Sequence, residues 1–262
     1  MNQNSDADKC FDELKPRFRR NVYESGKGLI RLEVLKADML SCFPELTERK
    51  DLRILDAGAG MGQIAAWLAR MGHFVTMADI SAEMLDQARQ EIIEAGLNEK
   101  IKILHASIQQ LPAQLKGQKF DLILLHGVIA WLEHPLQAIS GLKPLLANDG
   151  RFSVMFFNKD KLILKWGITG QLDQALKGKG SRKGSLTPTN PLSYAEVETF
   201  CRENGLKILT KAGIRIFYRF FLRFPERFAA SVEDFIVAEL KYCRVEPYAS
   251  LGEHTHISLA MT

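Results

Sequence analysis

The chain has 262 residues, 46% apolar and 25% charged, with 19 glycines and 9 prolines; these proportions exclude a disordered or collagen-like polymer and fit one large α/β domain or two small ones. Lys and Arg outnumber Asp and Glu by 35 to 31, a formal charge of +4, which is too slight an excess to require an anionic partner by itself. No apolar run reaches the ~18 residues that span a bilayer, no secretory pattern opens the chain, and Cys10, Cys42, Cys201 and Cys243 lie far apart without a Cys-x-x-Cys pair, so a cytoplasmic protein with free thiols and no membrane association is expected.

Residues 1–50 read as helical and mixed in charge, an N-terminal extension or lid with basic residues at Lys15, Arg17, Arg19 and Arg20, followed by Tyr23, Lys27 and Arg31. The first buried strand comes at residues 53–58. Residues 51–158 then alternate: a helix over 63–71, a strand over 74–79, and a helix capped by Ser81 with Met84, Leu85 and Ala88 at helical spacing. Strands over 101–104, 120–125 and 151–157 follow, the last two separated by a helix over 136–146. Nearly all-apolar strands joined by helices require a mostly parallel sheet covered on both faces.

Residues 159–192 break the alternation. They carry seven basic residues, Lys159, Lys161, Lys165, Lys177, Lys179, Arg182 and Lys183, against Asp160 and Asp173, and end in Gly, Ser, Thr and Pro, which predicts a basic insertion with a mobile loop. Residues 193–262 complete the same domain with a helix over 193–203 and strands over 208–217 and 256–261. Lys207, Lys211, Arg215, Arg219 and Arg223 surround the first of these strands, with Phe217, Tyr218, Phe220 and Phe221 interleaved. Basic and aromatic residues mixed in this way suit an RNA with unpaired bases, which stack at ~1 to 3 kcal/mol each.

The sharpest local signal is Asp56-Ala57-Gly58-Ala59-Gly60-Met61-Gly62. Alternate glycines let the backbone turn tightly and approach a ligand, and the following helix offers free N–H groups. The dinucleotide fingerprint places its third glycine one residue later and seats a pyrophosphate there; here an acid leads the loop, which suits a cofactor with an ammonium or sulfonium centre. Asp79 ends the next strand 23 positions after Asp56, near the ~20-residue offset at which a carboxylate meets a ribose diol. Strand ends at Ser107-Ile108 and at His126 meet the same sheet edge, where Ser107 can bond an adenine edge and Ile108 pack on its face. On the residues alone, Asp56 can equally serve only to orient the loop, Arg31 be a solvated charge, and His126 a hydrogen-bonded core histidine. His134, His254 and His256 have no further ligands at metal spacing, so no metal is expected.

With these motifs, the stretch Ala78-Asp79-Ile80-Ser81-Ala82-Glu83-Met84 and the strand at Phe120-Asp121, the chain resembles the Rossmann-like S-adenosylmethionine-dependent methyltransferases, an α/β fold with a seven-stranded, mostly parallel sheet. A closer resemblance spans nearly the whole chain. Arg20-Asn21-Val22-Tyr23, His126 to Trp131, Met155 to Asn158, Gly213 to Phe217, and Tyr242 to Gly252 look like the bacterial tRNA 5-carboxymethoxyuridine methyltransferases. That resemblance implies S-adenosylmethionine as cofactor, with contacts at Arg31, Gly58, Ala59, Asp79, Ser107, Ile108 and His126; Asp56, Gly60, Ile80 and Met84 are expected beside them. Ala59-Gly60-Met61 stands where the family often has Gly-Gly-Glu.

The resemblance further implies a tRNA anticodon stem-loop as partner and a wobble-uridine carboxylate as nucleophile. A carboxylate of pKa ~4 is already ionised at neutral pH, so no general base is required, and Tyr23, Arg215, Tyr218 and Arg244 are the expected positioning donors. Lys165, Lys177, Lys179, Arg182, Lys183 and Arg219 are the expected RNA contacts. A methyltransferase of a small carboxylic acid and an inactive RNA-binding scaffold of the same fold are the alternatives.

Overall fold

Alternation along the central strands sorts the apolar residues onto two faces of one sheet. In β4 (Phe120–His126), Leu122 and Leu124 enter one core and Ile123 and Leu125 the other, the period-2 pattern of a sheet covered on both sides. The computed structural model describes residues 25–178, 188–221 and 230–262. Its sheet also contains β1 (Arg53–Ala57), β2 (Phe74–Asp79), β3 (Ile101–His105), β5 (Leu146–Phe157), β6 (Leu206–Ile214) and β7 (His254–Met261), in the order β3-β2-β1-β4-β5-β7-β6. β1 to β5 run parallel and β7 pairs antiparallel with both β5 and β6. The strand order reverses between β1 and β4, the switch point beyond whose strand ends open α/β sheets bind ligands.

Helices α1 (Gly26–Cys42), α2 (Gln63–Arg70) and α3 (Ala82–Glu94) pack on one face; α4 (Pro135–Leu142) and α7 (Tyr194–Glu203) pack on the other. Two further helices, α5 (Lys159–Ile168) and α6 (Leu172–Lys177), follow β5, and α8 (Val232–Tyr242) follows β6. The Ser81 side chain accepts the Met84 amide at 3.2 Å, and Met84, Leu85 and Ala88 are buried, as their spacing predicts. The α1 helix, expected within an extension, contributes Ile30, Val34, Leu35 and Met39 to the core at no more than 2% exposure. No helix among the described residues is long and apolar enough to cross a membrane.

Two expectations are corrected. β5 starts at Leu146 rather than 151, because the polar residues Asn148 and Asp149 continue the strand instead of breaking it. β6 stops at Ile214 rather than 217: Arg215 takes φ 61°, and the next two amides, of Ile216 and Phe217, turn to donate to the Glu239 carboxylate at 2.7 and 2.9 Å. The insertion opens on two helices, and most of the loop expected at its end lies outside the described residues. Lys161 there is buried and donates to the Ile216 carbonyl at 3.2 Å, and Lys159 pairs with Glu196 at 2.8 Å, so neither joins a free basic surface. Lys179, Arg182 and Lys183 lie outside the described residues, as does Tyr23.

Candidate active site

A cleft opens above the carboxyl ends of β1, β2 and β4, floored by the glycine loop. Gly58, Gly60 and Gly62 all have positive φ, at 82°, 58° and 73°, a region costly to any side chain. A Cβ on Gly58 would also stand 2.5 Å from Val128 Cγ2. Asp79 ties this loop to the start of α3, since one carboxylate oxygen accepts the Gly60 amide at 2.8 Å and the other the Ser81 amide at 2.9 Å. Asp56, only 3% exposed, has its pKa pushed up to about 7, first by burial and then by the charge of Asp79.

Every position expected to hold the cofactor lines this cleft. Arg31 reaches it from α1; Asp56, Gly58, Ala59 and Gly60 form its floor; Asp79, Ile80 and Met84 form one wall; Ser107, Ile108 and His126 close it. The Ser107 amide donates to Gln110 Oε1 at 3.0 Å, which sets the turn after β3. His126 Nε2 lies 2.8 Å from Ser153 Oγ, and its Nδ1 is buried with no hydrogen-bond partner. Burial, with the Arg31 charge adding to it, holds the His126 pKa well below the ordinary range, so the ring is neutral. The cleft also takes in Leu32, Leu35, Gln63, Val128, Trp131 and Met155, none of which was named as a cofactor contact; Val128, Trp131 and Met155 lie in the stretches that carry the resemblance, and Leu35 follows Arg31 by one helical turn.

A cationic cluster shares its electrostatic neighbours Lys27 and His254 with Arg31, which lines the cleft. Arg215 and Arg219 each bond one oxygen of the buried Glu253 carboxylate. Lys27 has its pKa lowered by burial and then by Arg215, with Arg219 and Arg31 adding to the effect against Glu253. Lys161 falls to about 8 through burial, although Glu253 and Glu239 act the other way. Nothing in the residue pattern singled out Glu253 or Glu239, each a lone acid whose partners come from another element.

Of the expected positioning donors, Arg215 is in this cluster and Arg244 is not. Arg244 instead donates to Asp38 Oδ1 at 2.6 Å and contacts Cys42 Sγ at 2.8 Å, because a buried carboxylate claims its guanidinium. Tyr218 packs edge-on against Phe235, ring centres 5.1 Å apart, and does not line the cleft. Phe217 packs against Tyr242 and Tyr248, a structural role. Among the expected RNA contacts, Lys165 is half-buried on α5, Lys177 is exposed at the end of α6, and Arg219 bonds Glu253. Asp38, Cys42 and His256 bring possible metal donors within 4.8 Å of one another, a group the residue spacing did not suggest. The Arg244 guanidinium already supplies the positive charge there.

Residues 55–154 match the family model described as a methyltransferase domain. The chain is 33% identical over 252 residues, covering 96% of it and 95% of the relative, to the tRNA 5-carboxymethoxyuridine methyltransferase of Escherichia coli (strain K12). It is 25% identical over 222 residues, 82% of the chain and 88% of the relative, to a ubiquinone biosynthesis O-methyltransferase of Aromatoleum aromaticum. Among solved structures, magnesium protoporphyrin IX methyltransferase from Synechocystis with bound SAH superposes with a TM-score of 0.63 at 15% identity, covering 96% of each chain.

Proposed function

The chain belongs to the S-adenosylmethionine-dependent methyltransferases, and from that premise we propose that it acts on tRNA, esterifying the carboxylate of a wobble 5-carboxymethoxyuridine to its methyl ester. The observation that carries the substrate reading is the Arg215–Arg219 pair, both guanidinium groups engaged by one carboxylate. A site that already holds a carboxylate between two arginines has the chemistry to hold another. The 33% identity over 96% of the chain supports the same reading.

The residues of the cleft fit the cofactor. Asp79, whose two oxygens accept the Gly60 and Ser81 amides, ends its strand at the offset where a carboxylate meets a ribose diol. Ile80 and Ile108 supply apolar surface for the adenine. Asp56, once ionised, faces the cationic end of the ligand, and the unpartnered His126 Nδ1 offers a further polar contact. Arg31, between the cleft and the cationic cluster, bridges cofactor and acceptor. Bound S-adenosylmethionine would supply a methyl group on a sulfonium centre.

An ionised acceptor carboxylate needs no proton removed before it attacks, so the protein's work is alignment. Holding two reactants in line is worth on the order of 7 to 11 kcal/mol. Glu253 keeps the arginines oriented while competing for their charge, which limits ground-state capture of the acceptor. Lys165 and Lys177, with Lys179, Arg182 and Lys183, would meet the anticodon stem-loop phosphates.

Incubation with methyl-labelled cofactor and either bulk tRNA or a pool of small carboxylic acids tests this. Label is expected in the tRNA, in a wobble nucleoside, and released by mild alkali as an ester must be. Label only in the small acids, or alkali-stable label, overturns the proposal.

A further inference from the structure

His126 is the cleft-side end of a buried polar chain that crosses the sheet beneath α1. Its Nε2 lies 2.8 Å from Ser153 Oγ, Ser153 Oγ lies 2.7 Å from His256 Nε2, and His256 Nδ1 lies 2.5 Å from Asp38 Oδ2. Strand register builds this row: His126 is paired with Met155 and Met155 with His256, and Ser153 shares their face two residues earlier on β5. Ser153 and His256 are both 0% exposed and Asp38 is 4% exposed. Three polar side chains in an otherwise apolar layer each cost free energy unless bonded, and here each bonds the next.

Counting protons settles more than the distances do. Burial alone would raise the pKa of Asp38, but the hydrogen bonds it accepts from His256 and Arg244, with the Arg244 charge, outweigh it and keep the group ionised. An ionised carboxylate only accepts, so His256 Nδ1 carries hydrogen. The Ser153 hydroxyl has one proton and stands between two ring nitrogens, so it donates to one and accepts from the other. Arg244 already neutralises Asp38, and a second cation on the unexposed His256 ring would be uncompensated. His256 is therefore neutral, its Nε2 accepts from Ser153, and the Ser153 oxygen accepts from His126 Nε2–H. The other His126 nitrogen is left as a bare lone pair.

We propose that Asp38, His256 and Ser153 are positioning residues that hold His126 in its Nε2–H tautomer, so that Nδ1 presents an acceptor to an N–H or O–H of the cofactor. The assignment of the cofactor to this cleft, on which the proposal rests, comes from the reading above; the tautomer does not depend on which substrate is methylated. A hydrogen-bond donor on the ligand is recognised by this arrangement, whereas a flipped tautomer would set donor against donor.

Long-range nitrogen-15 correlation spectra of the histidine rings in the cofactor-free protein, with His126→Gln to assign the signal, read the tautomer directly. A protonated Nε2 and bare Nδ1 are expected in the parent, and in Ser153→Ala a loss of that single tautomer. Ser153→Thr, which keeps the hydroxyl, should restore it. Cofactor affinity in Ser153→Ala should fall roughly tenfold, the worth of about one hydrogen bond, with turnover at saturating cofactor little changed. Adding Ser153→Ala to His126→Gln should cost nothing further. A protonated Nδ1 in the parent, or an unaltered tautomer in Ser153→Ala, overturns the relay. An altered tautomer with unaltered affinity overturns its role toward the cofactor. Methylation of tRNA by the parent protein is scored separately, and its absence counts against the substrate reading alone.

Discussion

Asp79 accepts the Gly60 amide at 2.8 Å, so the acid that ends β2 shapes the loop that follows β1 as well as lining the cleft. Replacing it removes two things at once. Asp79→Ala is expected to weaken cofactor binding by at least tenfold and to lower stability by about 1 to 3 kcal/mol, because the Gly60 and Ser81 amides lose their acceptor. Calorimetry and thermal melting read the two effects. Lost affinity with an unchanged melting temperature would show that water replaces the carboxylate on the loop.

Asp56 should make cofactor affinity depend on pH. Its pKa in the folded protein, about 7, lies above the ordinary carboxylate value of 3.8, so folding favours its protonated form. The stability it contributes is fully present below about pH 4 and is lost as pH rises through about 7. Asp56→Asn should therefore raise the melting temperature of the cofactor-free protein at pH 8 and leave it nearly unchanged at pH 4. Binding a cation needs the ionised form, so affinity for S-adenosylmethionine should fall as pH drops below about 7, with proton release on binding. A flat affinity profile between pH 5.5 and about 8 would remove Asp56 from the cationic end of the site.

Gly58→Ala should be damaging for two separable reasons. The residue sits at φ 82°, which costs an L side chain about 1 to 2 kcal/mol, and its Cβ would meet Val128 Cγ2 at 2.5 Å. Pairing it with Val128→Ala should relieve the overlap and leave the backbone cost. If melting curves of the double variant matched the parent, the positive φ would be a soft preference of the loop.

The loop, the strand ends and the resulting cleft were legible in the residues because each rests on local rules: glycine spacing, alternation in strands, and an acid at a fixed offset. The partners of the charged groups were not. Arg215 and Arg244 look alike in the sequence, yet Glu253 claims one and Asp38, 206 residues from its arginine, the other. The end of β6 was illegible for the same reason, since Glu239 on α8 draws the Ile216 and Phe217 amides out of the ladder. The Asp38–His256–Ser153 row leaves no periodic trace, because its members meet only through strand register and the docking of α1.

The basic insertion should reveal itself in salt dependence. Each phosphate contact contributes roughly 0.7 to 0.9 to the slope of log affinity against log salt. Lys165→Ala with Lys177→Ala should flatten that slope for tRNA by about 1 to 2 without altering cofactor affinity. Extending the change to Lys179, Arg182 and Lys183 should flatten it further. Normal methylation by the five-residue variant at physiological salt would make the insertion a bystander.

The two arginines on Glu253 should separate acceptor binding from folding. The Arg219 side chain is 37% exposed, whereas those of Arg215 and Glu253 are 11% and 6% exposed, so solvent screens the Arg219 pairing and that pairing adds little to stability. Arg219→Ala should raise the KM for tRNA several-fold or more, with cofactor affinity and melting temperature close to the parent. Glu253→Gln should behave differently. It leaves the Arg215 charge without its carboxylate in a buried setting, at a cost of about 3 to 5 kcal/mol, and so shows first as lower stability. Because the freed arginines then have no internal competitor, the folded fraction of Glu253→Gln should bind the acceptor carboxylate more tightly while turning it over more slowly, KM and kcat falling together. An Arg219→Ala variant with unchanged KM for tRNA, alongside Glu253→Gln with raised KM, would place the acceptor carboxylate elsewhere in the cleft.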